Sequence, residues 1–101
     1  MTNTNEEYIA RINRVIDYIM ANANKHISVA ELASIASFSE YHFHRIFKSI
    51  TGETLNAYVR RTRLEKAANM LRARPNHSIT QIALEFGFSS SANFSKAFKA
   101  H

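Results

Sequence analysis

The feature that most constrains the fold of this chain is a segment that occurs twice. Residues 28–39, SVAELASIASFS, match residues 78–89, SITQIALEFGFS, and the match resumes after one inserted residue. Each copy predicts a short helix, a tight turn and a second helix, which is the layout of a helix-turn-helix. One such pattern is common, whereas two copies in a chain of 101 residues are specific. The identical pairs are Ser28/Ser78, Ala33/Ala83, Phe38/Phe88, Ser39/Ser89, Phe43/Phe94, Phe47/Phe98 and Lys48/Lys99.

The apolar spacing predicts helices throughout and no strand. Capping boxes are predicted at residues 28–31 and 78–81, serine caps at Ser39 and at Ser89 or Ser90, and turns at Gly52 and Gly87. A long fourth helix is predicted over residues 54–74, where Pro75 ends it. The predicted inward residues are Ile9, Ile12, Ile16, Ile19, Met20, Val29, Leu32, Ala33, Ala36, Phe43, Ile46, Phe47, Ile50, Leu55, Tyr58, Val59, Ala67, Ala68, Leu71, Phe94, Ala97 and Phe98.

The stretch FSEYHFHRIFKSITG, residues 38–52, places His42 and His44 two positions apart. On a helix their side chains lie about 160° apart around the axis, so one metal ion cannot bind both. Helical zinc pairs are usually four residues apart, and the other three histidines of the chain form no ligand spacing either. The chain has no cysteine, which excludes disulfides, thiolate zinc sites and cysteine nucleophiles. We therefore expect no metal, no cofactor and no enzymatic activity.

The outward faces of the two second helices carry cationic, aromatic and small polar residues. On the first of them, Tyr41, Arg45 and Lys48 lie opposite the apolar side. An arginine can bridge O6 and N7 of guanine, and Tyr41 can touch a thymine methyl group or a phosphate. Small residues on the last helix allow close approach to a base edge. The residues on or beside the outward face of that helix are Ser91, Ala92, Ser95, Lys96 and Lys99.

Positive charge is concentrated in the second part of the chain. Residues 1–40 carry a formal charge of −2 and residues 41–101 carry +7. This asymmetry indicates a polyanionic partner, most often nucleic acid. Amide N–H groups at the starts of the helices that Ser39 and Ser90 precede are further candidates for phosphate contact. The candidate phosphate-binding cations are Lys48, Arg60, Arg61, Arg63, Lys66, Arg72, Arg74 and Lys99.

The length of the fourth helix sets the spacing of the two units. About 20 residues at 1.5 Å each give roughly 30 Å, and successive major grooves on one face of DNA are about 34 Å apart. One monomer could thus read an asymmetric site of about 20 base pairs.

A basic helical module that binds an acidic protein, such as RNA polymerase, is the alternative to a DNA-binding protein. It would bind duplex DNA weakly even at low salt. The chain has no apolar run of the roughly 20 residues needed to span a membrane. Its first residues, MTNTNEEY, are polar and acidic, unlike a secretory signal. We therefore expect a cytoplasmic protein that does not contact membranes.

These residues resemble the DNA-binding domain of the AraC/XylS family of bacterial transcription regulators over about residues 6–101. The carriers are SVAELASIASFSEYHFHRIFKSITGETLNAYVRRTRLEKAANML and the motif I-x-x-I-A-x-x-x-G-F-x-S-x-x-x-F-x-x-x-F-K. The resemblance implies an all-α fold with two helix-turn-helix units, each a homeodomain-like three-helix subdomain, joined by a long helix. The expected divisions are 6–52, 53–75 and 76–101. The resemblance also implies sequence-specific binding to promoter DNA and contact with RNA polymerase. By motif position, the expected base contacts are Tyr41, His44, Arg45, Ser91, Ala92, Ser95 and Lys96.

Two departures from the family pattern bear on stability. Ser37 stands in the first turn where Gly87 stands in the second, and glycine is frequent at both places because it accepts a positive φ. The chain stops at FKAH, where family members usually continue into a further helix that packs under the second unit. We therefore expect a domain truncated before its last helix. An effector domain is expected to follow in the full-length protein unless it is a short stand-alone regulator.

Overall fold

The computed structural model describes residues 4–100 of the chain. This part of the chain contains helices and no strand, so the predicted all-α fold is confirmed. The described residues form a body 52 Å long and 22 Å by 21 Å in cross-section. None of its helices is both long enough and apolar enough to cross a membrane. The helices are α1 (Thr4–Ala21), α2 (Val29–Ala36), α3 (Glu40–Thr51), α4 (Leu55–Ala73), α5 (Ile79–Glu85) and α6 (Ser91–Ala100).

The first unit packs α1, α2 and α3 around one apolar core, which the start of α4 closes. The ring of Tyr58 on α4 meets Phe47 of α3 edge-on, with 5.3 Å between the ring centroids. The predicted ends of α3 are confirmed: the backbone N–H of His42 donates to the Ser39 hydroxyl at 3.2 Å, and Gly52 ends the helix with φ 81°. The largest fully buried side chains of this core are Ile12, Val15, Ile19, Leu32, Phe43 and Phe47.

The second unit repeats this arrangement with α4, α5 and α6. The two turns are equivalent: the N–H of Phe38 donates to the Ala33 carbonyl at 3.0 Å, and the N–H of Phe88 donates to the Ala83 carbonyl at 2.9 Å. This bond pattern closes a helix whose next residue adopts a left-handed conformation. The repeat read from the sequence is therefore a repeat of structure. The second core consists of Ala23, Leu64, Ala67, Ile82, Ala83, Phe86, Phe94 and Ala97.

The two predicted capping boxes differ. In the second, Ser78 and Gln81 exchange both hydrogen bonds, at 3.0 and 3.2 Å. In the first, the Glu31 backbone N–H donates to Ser28 at 3.1 Å, but the Glu31 carboxylate accepts from the Tyr18 hydroxyl instead of the Ser28 backbone. The prediction of a complete box at residues 28–31 is wrong, because α1 brings a competing donor to the carboxylate.

Three predictions of inward-facing residues are wrong for reasons of helix geometry. Ile9 and Met20 are exposed, and Val15 is buried instead. The buried stripe of α1 is centred so that Ile9 and Met20 lie roughly 90° or more around the axis from it. Ile50 is also exposed, because it lies in the last turn of α3, next to Gly52.

Phe98 is a fourth wrong prediction of burial. Phe98 is 49% exposed, whereas its repeat partner Phe47 is 0% exposed. In the first unit, α1 and α4 both pack against α3. Among the described helices of the second unit, α4 and α5 pack against α6, and none takes the remaining side. Phe98 therefore borders an open hollow with Leu64, Ala68 and Arg72.

Ser37 adopts the left-handed conformation that its position in the repeat requires. Its φ is 59°, and the φ of Gly87 at the equivalent position is 88°. Left-handed backbone is costly for a residue with a β-carbon, so Ser37→Gly is expected to raise the free energy of unfolding by about 0.5–1 kcal/mol. Urea unfolding followed by circular dichroism measures this change.

The matched control is Ser34→Gly, which makes the same substitution inside α2. There the added backbone freedom is expected to destabilise the protein by about 0.5–1 kcal/mol. Equal effects of the two variants would mean that the φ of Ser37 carries no strain.

Candidate nucleic-acid interface

The outward face of α3 is aromatic and cationic. Tyr41 is 74% exposed, and the guanidinium of Arg45, one turn further on, lies 5.8 Å from the centroid of the tyrosine ring. His44 and Lys48 are exposed beside them. The predicted contacts of the first unit thus lie together on one accessible surface. A hollow of about 610 Å³ next to this surface is lined by His44, Arg45, Lys48, Ser49, Thr54 and Leu55.

Helix α6 begins at Ser91, after the Ser90 cap. The backbone N–H of Asn93 donates to the Ser90 hydroxyl at 3.0 Å, and the Asn93 side-chain amide donates to Ser89. Of the two caps predicted as alternatives, Ser90 is therefore the one that accepts from the helix backbone. Residues at the outward face of α6 differ in access. Ala92, Lys96 and Lys99 are exposed, while Ser91 and Ser95 are half-buried.

A cleft of about 670 Å³ lies between the two units. Its α4 wall includes Asn56 and Arg60, and its second-unit wall includes Asn93 and Lys96. Leu55 borders both this cleft and the hollow beside α3. The hollow beside α3 and this cleft thus meet at the start of α4. We call the residues that line them, together with the exposed residues on the outward faces of α3 and α6, the reading surface.

Arg61 is held by two carboxylates. Its Nη2 lies 2.7 Å from Oε1 of Glu53, and its Nη1 lies 3.2 Å from Oε1 of Glu65. The guanidinium also lies 4.9 Å from the ring centroid of Tyr58. The hydrogen bond to Glu53 raises the pKa of Arg61 further above its already high value. Because these acids offset its charge, we leave Arg61 out of the proposed phosphate contacts.

Other basic residues of α4 also have partners within the chain. Arg63 donates to the carbonyls of Ala23 and Lys25, at 3.1 and 3.0 Å. Lys66 donates to the carbonyl of Met20. Arg60 is exposed and faces the inter-unit cleft. Of the three arginines predicted from the RRTR run, Arg60 and Arg63 border the inter-unit cleft, and Arg60 is the exposed one of these two.

Two further cations of α4 lie near its end. Arg72 donates to the side-chain oxygen of Asn69 at 2.6 Å, and Arg74 is the exposed residue at the end of the helix. Neither borders the two hollows that define the reading surface.

The histidine pair is separated by the helix, as the wheel predicts. The His42 ring packs against Phe38 and Tyr8, with centroid distances of 5.5 and 6.4 Å, on the side of α1. The His44 ring packs against Phe43 at 6.0 Å. Within residues 4–100, no three histidine or acidic side chains are grouped as metal ligands.

Asn56, Ser89 and Asn93 belong to the reading surface, and the helical wheels assigned them no role. Asn56 lies one turn before Arg60 on α4. The spacing of four residues places the amide and the guanidinium on the same side of the helix, and this was the signal in the sequence that could have identified Asn56. Asn93 lies on a flank of α6, and only the position of α4 shows that this flank faces the cleft.

Known proteins share this arrangement of helices. A helix-turn-helix domain family matches residues 32–101. The solved structure of a transcriptional regulator from Chromobacterium violaceum superposes on this chain with a TM-score of 0.84 at 28% identity. That regulator is described as one of the AraC-type DNA-binding domain-containing proteins. The superposition covers 92% of this chain and 82% of that chain. The chain belongs to the AraC/XylS family.

Two relatives of this chain are transcription regulators or factors by name. The chain is 40% identical over 96 residues to a probable transcriptional regulator, LumQ, of Photobacterium leiognathi, covering 93% of this chain. It is 44% identical over 78 residues to a probable transcription factor, PqrA, of Proteus vulgaris, covering 77% of this chain. The chain spans 38% of the length of the first relative and 63% of the second.

Proposed function

We propose that this AraC/XylS-family chain binds duplex DNA sequence-specifically, with α3 and α6 in successive major grooves on one face. The observation that carries the proposal is the reading surface, in which the hollow beside Arg45 and the cleft beside Lys96 meet at Leu55. A second helix of a helix-turn-helix that offers exposed cations and small residues matches the shape and chemistry of a major groove.

The dimensions agree with two grooves on one side of a duplex. The 19 residues of α4 span about 28 Å at 1.5 Å per residue. The two helix-turn-helix units have separate cores, and the described residues form a body 52 Å long. Successive major grooves lie about 34 Å apart, so a single chain is long enough to place one helix in each.

The cations of the reading surface and the residues at the starts of its helices have proposed roles. Arg45 donates to O6 and N7 of a guanine, and Lys96 approaches a base edge across the exposed methyl group of Ala92. Lys48, Arg60 and Lys99 contact phosphates, and the N–H groups behind the caps Ser39 and Ser90 assist them. The proposed base contacts are Tyr41, His44, Arg45, Ser91, Ala92, Ser95 and Lys96.

We also propose that binding regulates transcription at bacterial promoters. The names of the relatives and of the solved neighbour support this role, since all describe transcription regulators or factors. Contact with RNA polymerase belongs to the same proposal through the family resemblance, and control by an effector domain belongs to it because the relatives are longer than this chain.

Selection from random 30-base-pair duplexes tests the proposal. We expect enrichment of a bipartite site whose halves lie about one helical turn apart. Three phosphate contacts predict that log K falls against log salt with a slope of about −3 or steeper. Weak, salt-sensitive binding without enrichment would mean that the chain contacts phosphates and reads no bases.

The alternative function is binding to an acidic protein through the same cations. It predicts little binding to any duplex at low salt, which the first step of the salt titration measures. The repeat favours DNA, because the two helix-turn-helix units have equivalent turns, and two equivalent helices can enter successive major grooves of one duplex.

A further inference from the structure

The turn that follows α1 belongs to the core of the second unit, although its sequence continues the first. Ala23 is 2% exposed and packs in the second core with Leu64, Ala67 and Phe86. The backbone N–H of Lys25 donates to the carbonyl of Asn22 at 2.9 Å, which fixes the turn. Residues 22–25, which follow the first helix of the first unit, therefore pack against the core of the second unit.

Arg63 holds this turn in place. Its Nε donates to the Ala23 carbonyl at 3.1 Å and its Nη2 donates to the Lys25 carbonyl at 3.0 Å, across 40 and 38 residues of sequence. The guanidinium is half-buried and lies against the turn between α5 and α6, where a β-carbon on Gly87 would be 3.6 Å from Nη1. One side chain thus contacts the first unit and the second unit from the helix that joins them.

The partners of Arg63 distinguish it from a phosphate-binding residue. Its hydrogen-bonded partners are neutral carbonyls near the end of α1, where a cation is favourable because the last carbonyls of a helix carry partial negative charge. A planar guanidinium can donate to two separate carbonyls at fixed angles, which a single ammonium group cannot do. Lys66, which donates to the Met20 carbonyl, adds a third hydrogen bond near the same helix end.

We propose that Arg63 is a positioning residue that fixes the relative orientation of the two helix-turn-helix units, and thereby the half-site spacing that the chain accepts. The proposal rests on the proposed two-groove DNA binding. Without the bonds from Arg63, the turn at residues 22–25 can shift against α4 and Gly87. The two reading helices then sample a range of separations, and sites with different spacers become similar in affinity.

A distance measurement without DNA tests the orientation directly. The chain has no cysteine, so Asn13→Cys and Thr80→Cys allow a nitroxide pair on exposed positions of α1 and α5. We expect one narrow distance distribution in the parent chain and a broader one in Arg63→Gln. Arg60→Gln, which changes an exposed arginine on the same helix, is the control and should leave the distribution narrow. An unchanged distribution in Arg63→Gln would overturn the proposal.

A spacer series tests the consequence for DNA. The selected half-sites are separated by spacers one and two base pairs shorter and longer, and affinities are compared. We expect the preference of Arg63→Gln for the best spacer to fall by about tenfold, within the usual range of coupling between two sites. Arg63→Lys keeps the positive charge but cannot donate to both carbonyls at once. It should therefore lose the spacer preference as well. Arg60→Gln should weaken binding to every spacer alike.

Two outcomes would contradict the inference in different ways. If Arg63→Gln weakens all spacers equally and Arg63→Lys restores binding, Arg63 contacts a phosphate and is no positioning residue. If the parent chain shows no spacer preference, the two-groove function itself fails, and the nitroxide distances still decide whether Arg63 fixes the units. Circular dichroism and thermal melting of each variant show that the helices remain folded during both tests.

Discussion

Replacing Phe47 with alanine is expected to lower the free energy of unfolding by about 3–5 kcal/mol, the usual cost of removing a buried aromatic ring. Phe47 is fully buried between α1, α3 and α4, and its ring contacts Phe43 and Tyr58 at centroid distances of 5.7 and 5.3 Å. The substitution would leave a cavity between α4 and the rest of the first core. Urea unfolding followed by far-ultraviolet circular dichroism measures the loss.

Phe98→Ala is the matched control, because Phe98 occupies the same position in the second copy of the repeat. It keeps a stacked contact with Phe94 at 6.1 Å but is half exposed. Its removal is expected to cost about 1 kcal/mol, in proportion to the apolar surface it buries. If the two variants lose the same stability, the difference in packing between the two units is wrong.

The helix boundaries were predictable because they depend on contacts within a few residues. Ser39 and Ser78 accept bonds from N–H groups three residues ahead, and Gly52 needs a left-handed backbone where it stands. Such caps can be found by inspecting four consecutive letters. The duplication of the unit was likewise visible, since repeated structure at Ala33 and Ala83 follows repeated sequence.

The partners of long side chains were not predictable, because they depend on how helices meet. Glu31 was expected to complete a capping box, but Tyr18 is 13 residues away in sequence and adjacent in space. Arg63 was expected to face phosphate, but its partners lie 38 and 40 residues before it. A helical wheel identifies which side of a helix is apolar. It does not identify the residue that the polar end group of each side chain contacts.

This distinction changes how the basic charge should be interpreted. Some of the ten basic residues among residues 41–101 have partners inside the molecule: Arg61 pairs with Glu53 and Glu65, while Arg63 binds carbonyls. The cations that remain exposed on or beside the reading helices and the cleft are Arg45, Lys48, Arg60, Lys96 and Lys99. The number of basic residues alone therefore overstates the number of phosphates that the chain can neutralise, and the exposed cations give a better estimate of the salt slope.

Arg45→Ala is expected to weaken binding to the selected site by about 1–3 kcal/mol and to relax the preference at one base position. The guanidinium is exposed, stands beside the Tyr41 ring at 5.8 Å, and has no carboxylate partner among the ion pairs of the described residues. The ring limits the directions in which the guanidinium can point, so less side-chain entropy is lost when it pairs with guanine. Titration of the selected duplex and of its single-base variants measures both effects.

Lys48→Ala is the control for Arg45→Ala, since it removes a cation from the same face of α3 three residues further on. A phosphate contact is indifferent to base identity, so Lys48→Ala should weaken all duplexes evenly and reduce the salt slope by about one. Arg45→Ala should instead bring the parent site and one single-base variant to the same affinity. Because both variants remove one positive charge, any difference between them in base preference comes from the geometry of the contact. An even loss from Arg45→Ala, like that from Lys48→Ala, would place α3 against the backbone and leave the reading of bases to α6.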